Sequence, residues 1–449
     1  MTDKHMVESN FHSNDVADLK NFGDSYWEED LSSFTDCNTT PLKSVDVLVI
    51  GSGYTGLHAA LITARADRTT QVIETNSPGW GCSTRNGGQI SPSIKLSLAE
   101  LSKKYGAEKA LAIRKEGYAS LEWIEEFVKA EDIDCDFQRN GRFNAAHTPQ
   151  HFIKLVQEAE QLSKEEGFPS VVVTRAEQRN ELGTDTYHGG VIFTRNGMLH
   201  PAKYHAGLLK VAQQAGVAIT GNCSAENIKP KGDVFVVDTP KGEILAKKII
   251  IATNGYTTDL VPWLKRRVIP VGTYMIATEP LPKSVMDRLF PKNRAVVDTC
   301  KIVYYYRSSP DRTRVLFGGR VSADEIDPSI SGPILKRDMC RIFPELENCK
   351  LTHSWTGTVA FSFDKLMHIG QHKGIHYAMG YCGSGVAMAS YLGMRLGQQS
   401  LGEKIGSTAF DNLKFQTRPF YTGRPWFLPA MVRWYRWRDQ RQIQSAAKN

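Results

Sequence analysis

Three glycines with the spacing G-x-G-x-x-G stand near the beginning of the chain, at Gly51, Gly53 and Gly56. Glycines at this spacing permit a tight turn, a close approach of the backbone to a pyrophosphate, and tight packing of a helix on a strand. Glu74 ends the next apolar run, and a carboxylate there accepts hydrogen bonds from the hydroxyls of a ribose. These residue types in this order predict a site for a dinucleotide.

The segments around these residues have the pattern that such a site needs. Residues 47–50 are a short apolar run typical of a buried strand, and residues 57–66 are rich in alanine and leucine. Residues 71–73, which read QVI, are typical of a second short strand. This order predicts a strand, a helix and a second strand, with Tyr54 and Thr55 in the turn that opens the helix. The N–H groups and the dipole at the N-terminus of the helix then face the phosphates.

The composition limits the classes of protein to consider. The chain has 449 residues, which is too long for one core and predicts at least two domains. The net charge of +7 suits an anionic cofactor, but no basic patch for nucleic acid is evident. No apolar run is long enough to span a bilayer and the N-terminus has no apolar signal core, so we expect a cytoplasmic protein.

The cysteines give no sign of a metal site. All eight are scattered, without a C-x-x-C pair or an accompanying histidine cluster. Reduced thiols are therefore the simplest interpretation, and we expect neither a bound metal nor a disulfide framework.

The order of strand and helix patterns predicts an interleaved chain. The fold class we expect is α/β (α+β overall), with a Rossmann-like cofactor-binding domain and an interleaved antiparallel-sheet substrate domain. A ligand is expected where the two domains meet. The predicted pieces are an N-terminal arm at 1–44, the cofactor-binding domain at 45–97, 198–265 and 351–415, the substrate domain at 98–197 and 266–350, and a basic aromatic tail at 416–449.

A second glycine-rich segment, GWGCSTRNGGQ at 79–89, indicates which dinucleotide binds. An NAD enzyme usually continues into a regular helix at this point, whereas a tight polar loop can reach a bulky ring. Together with ATNGY at 252–256 and GYCGSGVAMA at 380–389, the segment resembles the D-amino-acid-oxidase-like superfamily of FAD oxidoreductases. The nearest branch looks like gamma-glutamylputrescine oxidoreductase, and the resemblance covers nearly the whole chain.

The resemblance implies an FAD site built from several separated segments. It assigns the pyrophosphate to the first glycine turn, the adenosine ribose to Glu74, adenine to the backbone at Ala225, and the flavin to the later segments. The residues implied along the ribityl chain and flavin are Ser83, Thr84, Arg85, Asn86, Gly87 and Gln89, then Thr253, Asn254 and Gly255, then Gly357, Gly383, Ser384, Gly385 and Val386. Sarcosine-oxidase-like relatives attach flavin through a cysteine, but 360–370 contains none, so we expect noncovalent FAD.

The chemistry implied by the resemblance is oxidation of a primary or secondary amine, a gamma-glutamyl polyamine or an N-alkyl amino acid, by hydride transfer to the flavin. An aromatic cage favours the neutral amine. The aromatic residues considered for this cage, the first four as catalytic candidates, are Tyr256, Tyr304, Tyr306, Trp355, Tyr274 and Phe361. Strand alternation puts Tyr304 and Tyr306 on one face and Tyr305 on the other. Arg307 and Arg320 are candidates for binding a substrate carboxylate.

Several alternatives stay open. Sarcosine-oxidase-like enzymes place a lysine above the flavin, whereas no lysine occurs between Ile302 and Arg320, so the electron acceptor is oxygen or another compound. A D-amino-acid dehydrogenase or glycine-oxidase-like enzyme would need an arginine clamp. A noncatalytic flavin-bearing protein for redox sensing or assembly would bind FAD that no amine reduces. The basic stretch 424–441 either packs across the FAD domain, which we favour, or rests on a membrane surface; the oligomeric state is open.

Overall fold

The structure is a computed structural model, and it describes residues 22–29, 31, 37, 39–92, 94–322 and 325–446. Most of the predicted N-terminal arm therefore lies outside the described residues. The described part of the arm includes a short 3₁₀ helix at Tyr26–Glu28, whose Trp27 is fully buried.

Eleven α-helices occur in the described residues. In chain order they are α1 (Tyr54–Arg65), α2 (Cys82–Arg85), α3 (Leu98–Tyr105), α4 (Ala107–Ala130), α5 (Pro149–Glu166), α6 (Pro201–Gln214), α7 (Pro262–Lys265), α8 (Lys283–Leu289), α9 (Pro328–Ile342), α10 (Gly385–Leu401) and α11 (Leu428–Ala446).

Eighteen strands occur in the same part of the chain. In chain order they are β1 (Ser44–Ile50), β2 (Thr70–Ile73), β3 (Gln89–Ile90), β4 (Arg142–Ala145), β5 (Ser170–Val173), β6 (Gly190–Phe193), β7 (Gly197–Met198), β8 (Ala218–Thr220), β9 (Asn227–Lys231), β10 (Val234–Thr239), β11 (Gly242–Ile251), β12 (Val268–Thr278), β13 (Ala295–Asp298), β14 (Tyr305–Ser308), β15 (Val315–Gly319), β16 (Leu351–Ser362), β17 (His368–His372) and β18 (Ile375–Met379).

The first sheet has a parallel centre in the order β18, β11, β1, β2 and β8. Strand β17 pairs antiparallel with β18 at one edge, and β9 and β10 form an antiparallel extension on β11. A sheet buried on both faces requires continuous apolar strands, and Val47–Ile50 of β1 are all buried. The apolar run predicted around 248–252 thus joins the sheet that begins at β1.

Helix α1 packs between α10 and α6 beside the first sheet, and α4 packs on α10. The approach of α1 to α10 is close because Gly393 has no side chain, and a Cβ there would lie 2.6 Å from the carbonyl oxygen of Thr55. Helix α1 starts at Tyr54, three residues before the predicted start, since the glycine turn leads directly into its first residue.

The second sheet is largely antiparallel, in the order β16, β12, β15, β14, β13, β4, β6 and β5. It draws on residues before and after the middle of the chain, as an interleaved organisation requires. Strand β16 pairs with β12 along nearly its whole length, so Leu351–Ser362 belongs to this sheet and not to the cofactor-binding piece predicted to begin at 351. The other domain boundaries given in the sequence analysis stay predictions.

The sequence predicts that helix α11 packs across the cofactor-binding domain. The structure places it on the second sheet instead. Its Leu428 and Val432 are buried with Val271 of β12 and with Ile302. The expectation was wrong because the amphipathic pattern of a helix identifies a buried stripe but not the surface that covers it.

Candidate active site

A cavity of about 750 Å³ begins at the carboxyl ends of β1, β2 and β11 and extends to the second sheet. Ligands bind at this end of parallel strands because the loops that follow the strands converge there. Its walls combine residues from both sheets, so a long ligand can contact both. The cavity therefore lies where the sequence predicted a ligand between two structural units.

The first glycine turn forms a narrow cradle at one end of the cavity. Gly51 has a φ of +106°, which a residue with a side chain rarely adopts, and a Cβ there would lie 2.9 Å from the carbonyl oxygen of Ala252. A Cβ on Gly53 would lie 2.8 Å from Ser83 Oγ, and one on Gly56 would lie 1.9 Å from the oxygen of Gly51. The turn thus exposes bare backbone, as the approach of a pyrophosphate requires.

Two helix N-termini open on this cavity. Gly53, Tyr54 and Thr55 line it at the start of α1, and Ser384, Gly385 and Val386 line it at the start of α10. Neither N-cap residue, Gly53 or Ser384, makes a side-chain capping bond. The Tyr54 N–H already donates to Ser83 Oγ, but the other N–H groups in the first turns of the two helices, and their positive dipole ends, face an anionic or carbonyl-bearing group.

Glu74 lies at the end of β2 beside the glycine turn. Its Oε2 accepts hydrogen bonds from the N–H and Oγ–H of Ser52, both at 2.9 Å, and its Oε1 accepts one from Asn76 N–H at 3.3 Å. Each carboxylate oxygen accepts more than one hydrogen bond, so Glu74 can still accept from ribose hydroxyls. The network also fixes the carboxylate against the cradle.

The loop after β2 supplies a second wall. Ser83 Oγ accepts a hydrogen bond from the Tyr54 N–H at 3.1 Å, and Asn86 Oδ1 accepts one from Gly88 N–H at 2.8 Å. Gln89 donates to the carbonyl oxygen of Val296 on the second sheet at 3.1 Å. These bonds hold the loop rigidly between the two sheets, where it faces the centre of the cavity.

Most of the predicted cofactor residues line the cavity. They are Gly51, Gly53, Tyr54, Thr55, Glu74, Ser83, Asn86, Gly87, Gln89, Ala225, Thr253, Asn254, Gly383, Ser384, Gly385 and Val386.

Five predicted residues lie behind the walls. Thr84 is buried under the loop, and Arg85 donates a hydrogen bond to the carbonyl oxygen of Gly23 at 3.1 Å. Gly56 and Gly255 allow close backbone packing, and a Cβ on Gly357 would lie 2.8 Å from Cys82 Sγ. They shape the cavity without facing it, and the contact of Arg85 with a distant loop was not visible in a sequence motif.

The predicted aromatic cage is only partly present. Tyr256 and Phe361 line the cavity, and the Tyr256 hydroxyl accepts a hydrogen bond from Thr358 N–H at 3.0 Å. The other four candidates are packed elsewhere and do not line the cavity. Tyr304 and Tyr306 stack on Phe317 in the core of the second sheet, Tyr274 is fully buried in the same core, and Trp355 donates its indole N–H to the carbonyl oxygen of Arg85.

Tyr305 is the aromatic residue of β14 that lines the cavity. The predicted alternation is present, but the face that it assigned to the cage is the core face. Burial raises the pKa of the Tyr305 hydroxyl, which bonds Thr273 and lies near Arg320. A neutral phenol is thus held against the second-sheet wall of the cavity.

Five cations line the cavity. Arg114 is paired with Glu166, and Lys301 is exposed. The others, Lys95, Arg142 and Arg320, form a group of three that we call the substrate end. The Nε of Arg142 donates to Asn144 Oδ1 at 3.0 Å, and the Nε of Arg320 is buried without a partner. No carboxylate among the described residues forms an ion pair with any of the three, and Glu74 is the single acidic residue found in the cavity wall.

Burial lowers the pKa values of these three cations. Burial, together with the nearby charges of Arg142 and Arg320, lowers the pKa of Lys95 to about 8. Burial also lowers the pKa of Arg142 to about 10 and lowers that of Arg320. Protein surrounds Lys95, and this lowers its pKa. Its side chain is still exposed, because it faces the open space of the cavity. Lys95, Arg142 and Arg320 thus give this end of the cavity a positive charge.

The sequence prediction identified Arg320 but missed Lys95 and Arg142. Arg307, its other carboxylate candidate, is buried away from the cavity and donates to the carbonyl oxygen of Leu199 at 2.8 Å. A signal for Arg142 exists in the alternation of β4, because Phe143 and Ala145 are buried and Arg142 and Asn144 share the opposite face.

Cys82 and Cys382 also line the cavity. Burial raises the pKa of Cys82 to about 12 and also raises that of Cys382. A protonated thiol is a weak nucleophile, so neither residue is prepared for covalent attachment to a flavin.

The described residues include neither a membrane-spanning helix nor a metal-binding cluster. None of the helices there is long and apolar enough to cross a membrane. In the same ranges, no group of three or more histidine, cysteine, aspartate and glutamate side chains is arranged to hold a metal ion.

Comparison with known proteins points to one family. A family model described as FAD dependent oxidoreductase matches residues 46–399. Gamma-glutamylputrescine oxidoreductase of Escherichia coli (strain K12) is 31% identical over 387 residues, which cover 86% of this chain and 89% of that protein. The probable oxidoreductase OrdL of Haemophilus influenzae is 30% identical over 392 residues, with 86% and 89% covered.

The fold has a counterpart among solved structures. The crystal structure of glycine oxidase from Geobacillus kaustophilus matches with a TM-score of 0.69 and covers 84% of this chain and 99% of that one. At 18% sequence identity, the match concerns the fold alone.

Proposed function

This chain belongs to the FAD dependent oxidoreductase family, and from that premise we propose that it oxidises an amine that carries at least one carboxylate. The family and fold class expected from the sequence are confirmed, and FAD is the cofactor. The substrate class is the proposed part, and it goes beyond what membership of the family establishes.

The observation that carries the proposal is the group of cations at the substrate end of the cavity. Lys95, Arg142 and Arg320 face the same space as the FAD cradle, and no described carboxylate pairs with them. A buried cation without a partner is costly, and the cost is removed when an anionic ligand enters. Guanidinium groups also bind carboxylates with two parallel hydrogen bonds.

The same charges disfavour a substrate that is mainly cationic. A polyamine would bring ammonium groups close to these three side chains, in surroundings where protein screens charges weakly. A gamma-glutamyl polyamine keeps the α-carboxylate of its glutamyl group and so meets the same requirement, but it also carries additional ammonium groups. Of the two substrate classes expected from the sequence, an N-alkyl amino acid therefore brings fewer like charges to these cations. A D-amino acid of the glycine-oxidase kind shares the carboxylate, and Arg142 and Arg320 supply the clamp that this alternative requires.

The residues of the chain have separate tasks in the proposed reaction. FAD, when bound, supplies the ring that accepts the hydride of the amine carbon. The cations bind the carboxylate and thereby orient the amine carbon, while Tyr305 and Phe361 line the wall of the same space. Positive charge around the amine lowers its pKa, so the amine is more often neutral and able to donate hydride.

The N-terminus of α10 has an electrostatic task. Gly385 and Val386 line the cavity where the resemblance places the flavin. Uncapped N–H groups there stabilise negative charge that develops during reduction, because they are already oriented and need no rearrangement.

The proposal is tested by anaerobic reduction of the purified yellow protein with matched pairs of amines. Each pair consists of an N-methyl or D-amino acid and the amine that lacks only its carboxylate. Gamma-glutamyl amines, which carry a carboxylate on the glutamyl group, and the matching free polyamines, which carry none, form a further pair. We expect the flavin band to bleach with the carboxylated members and to respond slowly or not at all to their partners. Equal rates within the pairs, or faster reduction by polyamines, would contradict the proposal.

Two variants connect the result to the site. Arg142→Met should raise the substrate concentration for half-maximal reduction about 10- to 100-fold, the range for losing a hydrogen bond to a charged group. Arg337→Met is the matched control, because Arg337 is exposed on α9 and does not line the cavity. Admission of air after reduction then shows whether oxygen accepts the electrons.

A further inference from the structure

The outer side of α11 carries a surface that the proposed reaction does not use. Five arginines and tryptophans recur at helical spacing on one side of the helix. We call them the basic aromatic face: Arg433, Trp434, Trp437, Arg438 and Arg441. Trp434 is 50% exposed and Trp437 is 52% exposed. Large aromatic rings at this exposure, on neighbouring turns of one helix, indicate a surface that contacts a partner.

The opposite side of α11 is fixed to the protein. Leu428 and Val432 are buried against the second sheet. Asp439 accepts hydrogen bonds from the backbone N–H groups of Lys301 at 3.1 Å and Ile302 at 2.8 Å. Packing inside the protein therefore accounts for the inner side of the helix and leaves the basic aromatic face without a described partner.

The charge around this face has one sign. Residues 412–446 contain seven lysines and arginines and a single acid, Asp439, which is buried on the inner side. This segment thus holds nearly all of the net charge of +7 of the whole chain. In addition, Arg438 lies over the ring of Trp434 at 5.3 Å and Arg441 over that of Trp437 at 4.8 Å, so rings and charges are presented together.

We propose that the basic aromatic face docks on the surface of a membrane that contains anionic lipids. Tryptophan prefers the boundary between lipid headgroups and acyl chains, and arginines attract the anionic headgroups beside it. The helix lies along the surface and does not span it, because no described helix is long and apolar enough to cross. Trp426, which is 73% exposed just before the helix, adds a further ring to the same segment.

Other occupants fit the face less well. A second copy of this chain would bring like charges together. A double-stranded nucleic acid would neutralise the arginines but would leave much of the exposed tryptophan surface in water, since its outer surface is phosphate. A single strand that stacks its bases on the rings is an outcome that the test below distinguishes. A lipid surface satisfies both kinds of side chain at once.

The position of the helix relates this face to the cavity. Val359 and Phe361 pack in the cluster under α11 and also line the cavity, and Arg436 donates hydrogen bonds to the carbonyl oxygens of Arg320 and Val321. Docking would consequently place the substrate end of the cavity close to the lipid surface. The docking itself does not depend on the proposed substrate, and its test does not use turnover.

The test is sedimentation of the FAD-loaded protein with vesicles of phosphatidylcholine alone or of phosphatidylcholine mixed with phosphatidylglycerol, at low and high salt. We expect the protein to pellet with the mixed vesicles, to be released by salt, and to show blue-shifted tryptophan emission when bound. Arg433→Gln with Arg441→Gln should weaken partitioning on the order of 30-fold, from about 1 kcal/mol per arginine. Trp434→Ser with Trp437→Ser should weaken partitioning and remove most of the emission shift, and the remainder would come from Trp426.

Matched controls separate the face from general effects of charge and fold. Lys154→Gln with Lys164→Gln removes the same charge from exposed positions of α5 and should leave partitioning unchanged. Flavin absorbance and circular dichroism establish that each variant is folded. The proposal fails if the wild-type protein ignores the mixed vesicles, if the arginine variant binds as the wild type does, or if an oligonucleotide binds the face while vesicles do not.

Discussion

Tyr305 lies directly opposite Gly318 across the antiparallel pair β14–β15, and its ring occupies the space that a side chain at 318 would fill. A Cβ on Gly318 would lie 2.3 Å from Cε2 of the ring. The absence of a side chain at 318 therefore lets the phenol lie flat along the strand pair while it lines the cavity.

The first prediction concerns this pair. Gly318→Ala must displace the Tyr305 ring, so we expect slower anaerobic flavin reduction by substrate, with the FAD content of the purified protein unchanged. Tyr306→Phe is the control: it loses a buried hydrogen bond to Tyr187, which should cost about 1 kcal/mol of unfolding free energy without changing the reduction rate. Slower reduction in Tyr306→Phe but not in Gly318→Ala would reverse our assignment of the two faces.

The three tyrosines at 304–306, where β14 begins, also show where the sequence stops being informative. Alternation along a strand determines that Tyr304 and Tyr306 share a face and that Tyr305 is opposite. It does not determine which face meets the core, because that depends on α9 and on Phe317, residues that come together only in the folded sheet. The pattern was right, and the side of the sheet that it assigned to the substrate was wrong.

The cofactor half of the site was more accessible to prediction. A glycine turn, a helix start and an acid at the end of β2 are close in sequence, so local spacing is enough to place Gly53 and Glu74. The substrate half is assembled from distant strands and loops. Lys95 and Arg142 carry no motif, and their convergence with Arg320 is a property of the tertiary fold.

The second prediction tests the cradle. Gly53→Val places a side chain where Cβ alone would lie 2.8 Å from Ser83 Oγ, and we expect purified protein without bound FAD. Because this variant can also fail to fold, Glu74→Gln is measured beside it. Replacing a charged acceptor of ribose hydroxyls should weaken FAD binding about 10- to 100-fold while circular dichroism stays unchanged. Tight FAD binding by both variants would show that the dinucleotide lies elsewhere.

The third prediction concerns pH. The pKa of Lys95 is lowered to about 8, mainly by burial, so its ammonium is charged below that pH and neutral above it. Binding of a carboxylate ligand to the oxidised protein should accordingly weaken as the pH rises through about 8. In Lys95→Arg this loss should disappear, since a guanidinium stays charged across the same range. An unchanged pH dependence in Lys95→Arg would exclude Lys95 as its cause.

The fourth prediction concerns the attachment of FAD. Cys82 and Cys382 line the cavity as thiols with raised pKa values, and the segment 360–370 contains no cysteine. We expect acid or heat denaturation to release all of the flavin into the supernatant, and the denatured polypeptide to have the mass of its sequence. Yellow precipitate with a mass increase of one flavin would refute noncovalent binding.

The most direct measurement for the central claim is a spectral titration of the oxidised, FAD-loaded protein with ligands that do not react. We expect malonate and acetate to perturb the flavin band, with malonate binding more tightly because its second carboxylate reaches another of the three cations. Arg142→Met should weaken both, whereas the cationic diamine putrescine should leave the oxidised spectrum of the wild type unchanged. Saturable perturbation by putrescine, with no response to either carboxylate, would contradict a substrate site built around Lys95, Arg142 and Arg320.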